Sequence, residues 1–182
     1  MGALHEGHLE LIKKAKESTD VVVVSIYVNP IQFNNPTDFE KYPKTLDKDL
    51  EILDKIGIDF VFSPENGEMY PSKPALKLSF GLLEDVLEGA FRPGHFNGVG
   101  IVVSKLLNIV KPDVAFFGQK DLQQVAVVKR LVSDLSFETR IQVVATVREP
   151  NGLALSSRNQ RLNERERAAA QILSKSLFLS KS

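Results

Sequence analysis

Residues 21–28, VVVVSIYV, limit the fold more than any other stretch of the chain. The run is apolar and rich in β-branched side chains, which favours an extended strand. It lacks polar alternation, so both faces must be covered, as they are in a central strand of a parallel sheet. Before it, residues 8–17 place Leu9, Leu11, Ile12 and Ala15 among charges, an amphipathic helix that starts straight after Gly7. After it, a turn-rich stretch over 29–43 leads to a helix over 45–56, where Leu46, Leu50, Leu53 and Ile56 recur at helical spacing. Gly57 ends that helix and 58–62 forms a second strand. The pattern repeats as a helix over 99–110, a strand over 114–117, a helix over 122–135 and a strand over 141–147. Such alternation implies an α/β fold, a doubly wound parallel sheet with ligands bound at the carboxyl ends of its strands. Residues 76–78 offer a further short strand. Beyond Asn151-Gly152 the chain turns polar, and 164–179 reads as a terminal helix with little left to pack on.

A chain of 182 residues suits one domain with a substantial core. Its 23 basic and 23 acidic residues cancel, which argues against binding nucleic acid or a membrane surface by bulk charge. Cysteine is absent, so disulfides, thiolate metal sites and cysteine nucleophiles are excluded. No apolar run reaches the roughly 18 residues of a membrane span, and the cytoplasm is the default location.

Three loops carry candidate chemistry. The first is Met1-Gly2-Ala3-Leu4-His5-Glu6-Gly7-His8, with two imidazoles around a glycine where a helix begins. Helix starts present free N–H groups and a positive dipole end, and a histidine can donate to a phosphoryl oxygen as charge shifts. A zinc-protease reading fails, because that chemistry needs His-Glu-x-x-His. The second is Phe117-Gly118-Gln119-Lys120-Asp121 at a strand end, where a lysine can neutralise phosphate charge. The third is Leu155-Ser156-Ser157-Arg158-Asn159, hydroxyls and a guanidinium suited to cradling phosphates. Taken singly, each has an ordinary alternative: surface histidines, solvated polar residues, a helix-capping serine. Gln32 and Gln124 could grip a hydroxyl or carboxylate or be surface amides. Asp47 and Asp49 start a helix and are candidates to help hold Mg²⁺, although acidic first turns also arise from the helix dipole alone.

Together with Val28-Asn29-Pro30-Ile31-Gln32-Phe33, Tyr42-Pro43, Arg92-Pro93-Gly94-His95-Phe96 and Val147-Arg148-Glu149-Pro150, these segments resemble, in order, the motifs of the pantothenate synthetases of the His-x-Gly-His nucleotidyltransferase superfamily. The resemblance runs across nearly the whole chain. It implies a Rossmann-like domain over residues 1–160 that binds nucleotide and pantoate, and over 161–182 the start of a shortened C-terminal domain. It implies an ATP site lined by Met1, Gly2, Ala3, Leu4, His5, Glu6, Gly7, His8, Gly118, Gln119, Lys120, Asp121, Val147, Leu155, Ser156, Ser157 and Arg158. His8 stands in the place of the proton donor, with His5, Lys120 and Arg158 assisting catalysis. Gln32 and Gln124 match pantoate-binding positions, with β-alanine entering near Gln32 and Asn29 supporting that wall. Arg92 and His95 match a segment near the site.

The implied reaction is a C–N ligation. A pantoate carboxylate oxygen attacks the α-phosphorus of ATP, pyrophosphate leaves, and β-alanine takes the pantoyl group from the adenylate with release of AMP. ATP, Mg²⁺, pantoate and β-alanine are the implied small molecules, and a homodimer the implied assembly. Two departures bear on this. The family's strand before Met-Gly-Ala-Leu is expected to be absent, leaving an edge or gap beside the ATP site, and so is the C-terminal lid domain. Leu155 replaces a usual methionine, a swap of similar volume. Competing readings are a nucleotide- or pantoate-binding module without turnover, an adenylyltransferase of the same superfamily with another acceptor, and an interaction protein with accidental motifs.

Overall fold

The computed structural model describes residues 1–180. In chain order the elements are α1 (Glu6–Ser18), β1 (Val23–Ser25), α2 (Pro36–Glu40), α3 (Leu46–Lys55), β2 (Phe60–Phe62), α4 (Asn66–Met69), α5 (Leu82–Asp85), α6 (Glu88–Phe91), α7 (His95–Val110), β3 (Val114–Gly118), α8 (Leu122–Asp134), β4 (Arg140–Val144) and α9 (Glu164–Leu179). Single 3₁₀ turns lie at Pro30–Gln32, Gln119–Asp121 and Ser157–Arg161.

The first half is a strand–helix–strand unit. Strand β1 runs parallel to β2, Val23 opposite Phe60. Helix α1 and helix α3 cover it, bringing Ile12, Ala15 and Leu53 onto Val22, Val24 and Ile26. Helix α3 stops where Gly57 takes φ +65°. There the Ile58 N–H reaches Leu53 O at 3.2 Å and the Gly57 N–H reaches Asp54 O at 2.9 Å, the paired closure that glycine permits at a helix end. In the second half β3 runs parallel to β4, Val114 opposite Arg140. Helices α7 and α8 bury Phe96, Val99, Val102, Val103, Val127, Val128 and Leu131 against one another and this pair.

The sheet differs from the expected one in continuity. Among the described residues the two parallel ladders are not hydrogen-bonded to each other. The edge of β1 away from β2 is met by Met1, whose amino group donates to Ser25 O at 2.9 Å while the Tyr27 N–H donates to Met1 O at 3.0 Å. Packing bridges the two ladders instead, because Phe116 of β3 lies against the cluster that holds Ile12 of α1. Residues 76–78 form no strand. They cross α7 as an extended loop, with the Leu78 N–H held by Asn97 Oδ1 at 2.8 Å.

Helix α9 packs little, as its sequence position suggests, since Ile172, Leu173, Leu177 and Phe178 are all exposed and a few contacts hold it. Ser174 is 2% exposed, the Arg148 guanidinium lies 5.4 Å over the Phe178 ring, and Arg167 bonds both Glu149 oxygens at 2.8 and 2.9 Å. That last contact holds the Glu149 carboxyl below its usual range. Asn163 and Glu166 close a reciprocal capping box at the start of the helix.

Candidate active site

The His-x-Gly-His segment caps its own helix. His5 is the N-cap of α1, and its Nδ1 accepts from the Gly7 N–H at 3.1 Å. His8 Nδ1 accepts from the His5 N–H at 3.3 Å. The two rings lie 4.0 Å apart, tilted by 31°. Since each Nδ1 is used as an acceptor, each neutral ring carries its proton on Nε2 and has one N–H left to donate. The glycine has a steric reason: a Cβ on Gly7 would lie 2.9 Å from His5 Cε1, so a side chain there would displace the capping ring.

Burial lowers the His8 pKa to about 3, with neighbouring His5, the amino terminus and Lys120 adding to the effect. His5 is lowered by the same burial and by Lys120. Both rings are therefore neutral donors at neutral pH, in the electrostatic reach of the Lys120 ammonium. Lys120 sits in the Gln119–Asp121 turn that follows β3, its Nζ 3.6 Å from Asp121 Oδ1. Gln119, Lys120 and Asp121 are exposed, and Gly118 closes the strand half-buried.

The third loop folds back as a hairpin. Arg148 bridges Ala154 in antiparallel fashion, and the Leu155 N–H donates to Val147 O at 3.0 Å. The hairpin brings Leu155 Cβ to 3.7 Å from the position of a Gly7 Cβ, so this loop abuts the start of α1. Ser156 takes the ordinary role weighed for it, accepting from the Arg158 N–H at 3.3 Å as the N-cap of the Ser157–Arg161 turn. Ser157 is 7% exposed. Arg158 is turned elsewhere: it pairs with Asp38 at 3.1 Å and lies 5.3 Å over the Tyr42 ring. Arg161 shares the same carboxylate at 3.2 Å, and these two guanidinium groups together hold Asp38 below the usual carboxylate range against the opposing effect of burial.

A polar wall stands at the carboxyl end of β1. Asn29 is 3% exposed and fully engaged: its Nδ2 donates to Gln32 Oε1 and to Gly98 O, each at 3.1 Å, and its Oδ1 accepts from the Tyr70 hydroxyl at 2.8 Å. It orients Gln32 and has no free group for a ligand. His95, at the start of α7, fixes the same turn from below, its Nδ1 2.9 Å from Gln32 O. Tyr70 and Gly98 thus belong to the site's support, although their sequence context gives no sign of it: one lies just after a short helix, the other among apolar residues. Burial, and then neighbouring Tyr27, push the Tyr70 hydroxyl pKa up, so it donates as a neutral phenol. Gln124 is half-buried in the first turn of α8, while its neighbour Gln123 is structural, bonding Leu83 O, Val86 O and the Glu88 N–H.

Asp49, a candidate Mg²⁺ ligand, has its carboxylate engaged by the chain itself. Asp49 is 1% exposed, and its two oxygens accept from the Ala3 and Leu4 N–H groups at 2.8 Å each and from Thr45 Oγ1 at 3.2 Å. Among the described residues no three His, Asp or Glu side chains converge as metal ligands. Arg92 pairs with Glu88 at 3.2 Å on the surface.

Parallel strands with motif-bearing loops at their carboxyl ends and a histidine-capped helix start define the class: a Rossmann-like domain of the nucleotidyltransferase type. A structure of pantothenate synthetase from Thermus thermophilus superposes with a TM-score of 0.94 at 45% identity, covering 98% of this chain and 65% of that one. The Francisella tularensis pantoate-beta-alanine ligase complexed with beta-gamma ATP and beta-alanine gives 0.92 at 47% identity, covering 96% and 67%. The chain belongs to the pantoate-beta-alanine ligase family, whose model matches residues 1–182. The pantothenate synthetase of Thermoanaerobacter sp. X514 is 56% identical over 177 residues, and that of Cytophaga hutchinsonii 52% over 177 residues. The alignment takes in 97% of this chain, which spans about 62% of the length of these curated relatives.

Proposed function

We propose that this chain adenylates pantoate with ATP and passes the pantoyl group to β-alanine, giving pantothenate, AMP and pyrophosphate. The observation that carries the reading is the pair of neutral His5 and His8 donors at a helix start, beside Lys120. Two anions must meet when the pantoate carboxylate attacks the α-phosphorus, and negative charge grows on the departing pyrophosphate. His5 and His8 each offer an Nε2–H to phosphoryl oxygens, and Lys120 supplies a full positive charge. His8 is assigned the proton-donor role, and Arg158 the outer phosphates once it leaves Asp38. The segment 1–8, residues 118–121, Val147 and residues 155–158 form the nucleotide side of the site.

Gln32 and Gln124 are assigned to pantoate, with β-alanine arriving beside Gln32. The amide–phenol–imidazole scaffold behind Gln32 supports this, since a specificity group must be held in one orientation. Mg²⁺ is assigned to the ATP phosphates and enters with that substrate, since Mg²⁺ keeps several waters and needs few protein ligands. Residues 1–160 are assigned as the nucleotide- and pantoate-binding domain and 161–182 as the start of a further one. A homodimer, on family resemblance, and a cytoplasmic location, as the default for a chain with no membrane-length apolar run, are part of the proposal. Among the described residues no helix is long and apolar enough to cross a membrane.

The test is pyrophosphate release by the 182-residue chain with ATP, Mg²⁺ and pantoate, followed by addition of β-alanine. Pantoate-dependent release establishes adenylation, and pantothenate after the amine establishes the full reaction. The engagement of Arg158 by Asp38 at 3.1 Å favours one second reading, a module that binds without turnover. ATP binding with no pyrophosphate would select it.

A further inference from the structure

Ala3 adopts φ +49°, a left-handed conformation that a side chain resists. The N–H groups of Ala3 and Leu4 consequently point to one side, forming the concave donor pair that usually receives an anion. Here the anion is Asp49, one oxygen on each N–H at 2.8 Å, buried to 1% exposure and steadied by Thr45 Oγ1 at 3.2 Å. Asp49 lies in the first turn of α3. It ties the helix after the turn-rich loop to the segment that ends in His5 two residues later. His5 can cap α1 only if the chain enters the helix in the right direction, and that direction is set at Ala3 and Leu4.

We propose that Asp49 is the positioning residue of the nucleotide site, an internal anion that occupies the backbone donors of Ala3 and Leu4 and so aims His5 and His8. The proposal rests on the assignment of ATP to this site. It also makes a correction to that assignment: the Ala3 and Leu4 N–H groups are committed to Asp49, and phosphate contacts come from the histidines and the loops around them.

The experiment compares the wild-type chain with Asp49→Asn and with Asp49→Asn combined with Ala3→Gly. Asparagine keeps the shape but turns one acceptor into a donor facing an N–H. The readouts are hydrogen exchange at the Ala3 and Leu4 amides, and calorimetric affinities for ATP and for pantoate with Mg²⁺ varied. In Asp49→Asn, the two amides should exchange on the order of 10-fold faster or more, and ATP should bind about 10- to 100-fold more weakly, with pantoate affinity unchanged. Ala3→Gly removes the steric resistance at φ +49° and should recover part of the ATP affinity without added Mg²⁺. Equal loss of ATP and pantoate binding would overturn the proposal as general destabilisation, and recovery by raised Mg²⁺ would overturn it in favour of a metal ligand. Unchanged amide exchange would overturn it whatever ATP does. A wild-type chain that does not bind ATP would instead refute the functional assignment, with the exchange measurement still deciding whether Asp49 holds the loop.

Discussion

Replacing Gly98 with alanine should test how the proposed pantoate wall at Asn29 and Gln32 is held. Gly98 lies in the first turn of α7, where the helix backbone meets the Pro30–Gln32 turn. A Cβ there would sit 2.6 Å from Ile31 O and 2.8 Å from both Ile31 C and Gln32 Cα, all main-chain atoms that cannot rotate aside. The turn must move outward, which strains the Asn29 Nδ2 to Gly98 O bond now 3.1 Å long and with it the Asn29 hold on Gln32. Overpacking of a buried contact costs about 1–3 kcal/mol, and the better helix propensity of alanine offsets up to about 1 kcal/mol. A net loss of about 1–2 kcal/mol lowers Tm by ~2–8 °C in a chain of this size. Differential scanning calorimetry reads the stability, and pantoate titration reads the wall. Gly67→Ala is the control, because nothing lies within 4 Å of its Cβ; its Tm should not fall. A Gly98→Ala chain with wild-type Tm and wild-type pantoate affinity would refute the argument that this close approach positions Gln32.

Stability should depend on the histidines in acid. His8 has a folded pKa of about 3, below the unfolded value of 6.5, and burial lowers His5 and His95 in the same direction. The unfolded chain therefore binds more protons, so stability is full above pH 6.5 and falls as pH drops toward 3, by at most about 1.4 kcal/mol per pH unit for each histidine. Urea midpoints at about pH 8, 6.5 and 5, which bracket the ordinary histidine range, check this, and a flat profile would contradict it. Asp38→Asn should release Arg158 and Arg161 and tighten ATP binding, by up to ~5-fold for exposed pairs; weaker binding would show that the pair holds Arg158 in place. His8→Ala should slow adenylation on the order of 10²-fold or more with the fold retained by circular dichroism. Ser104→Ala should raise stability by about 0.5–1 kcal/mol, read as a higher urea midpoint, because the buried Ser104 hydroxyl has no hydrogen-bond partner among the described residues.

Much of this molecule is legible in local patterns. The apolar run at 21–28 and the helical spacing of Leu46, Leu50, Leu53 and Ile56 are signals that neighbours along the chain create. The helix formed with Gly57 ending it. The strand is confined to Val23–Ser25, pairs among the described residues with no strand but β2, and leaves Val21 and Val23 exposed, so the expected covering of both faces is not met. The helix over 99–110 starts earlier, at His95, because Gly94 takes φ +78° and turns the chain into it. The expected strand at 76–78 failed for a non-local reason: Asn97, some twenty positions on, supplies the bond to Leu78 that a neighbouring strand would have offered.

The site divides in the same way. The His-x-Gly-His segment could be read directly, since its capping bonds and its glycine act within four residues. Asp49 could not, because an acidic residue in a first turn looks alike whether it faces solvent, a metal or two backbone N–H groups; only packing of α3 against the chain start decides. Tyr70, His95 and Gly98 are scattered along the chain and meet at Asn29 and Gln32 only after α7 docks. Arg158 carries its charge in the sequence, but its pairing with Asp38 spans 120 positions. The sequence by itself determined which groups can donate, accept or carry charge and which short segments become helix or strand, because those are properties of residues and their near neighbours. The tertiary structure alone decided which of those groups are already satisfied and which remain open to a ligand, because burial and long-range hydrogen bonds exist only once the elements are packed.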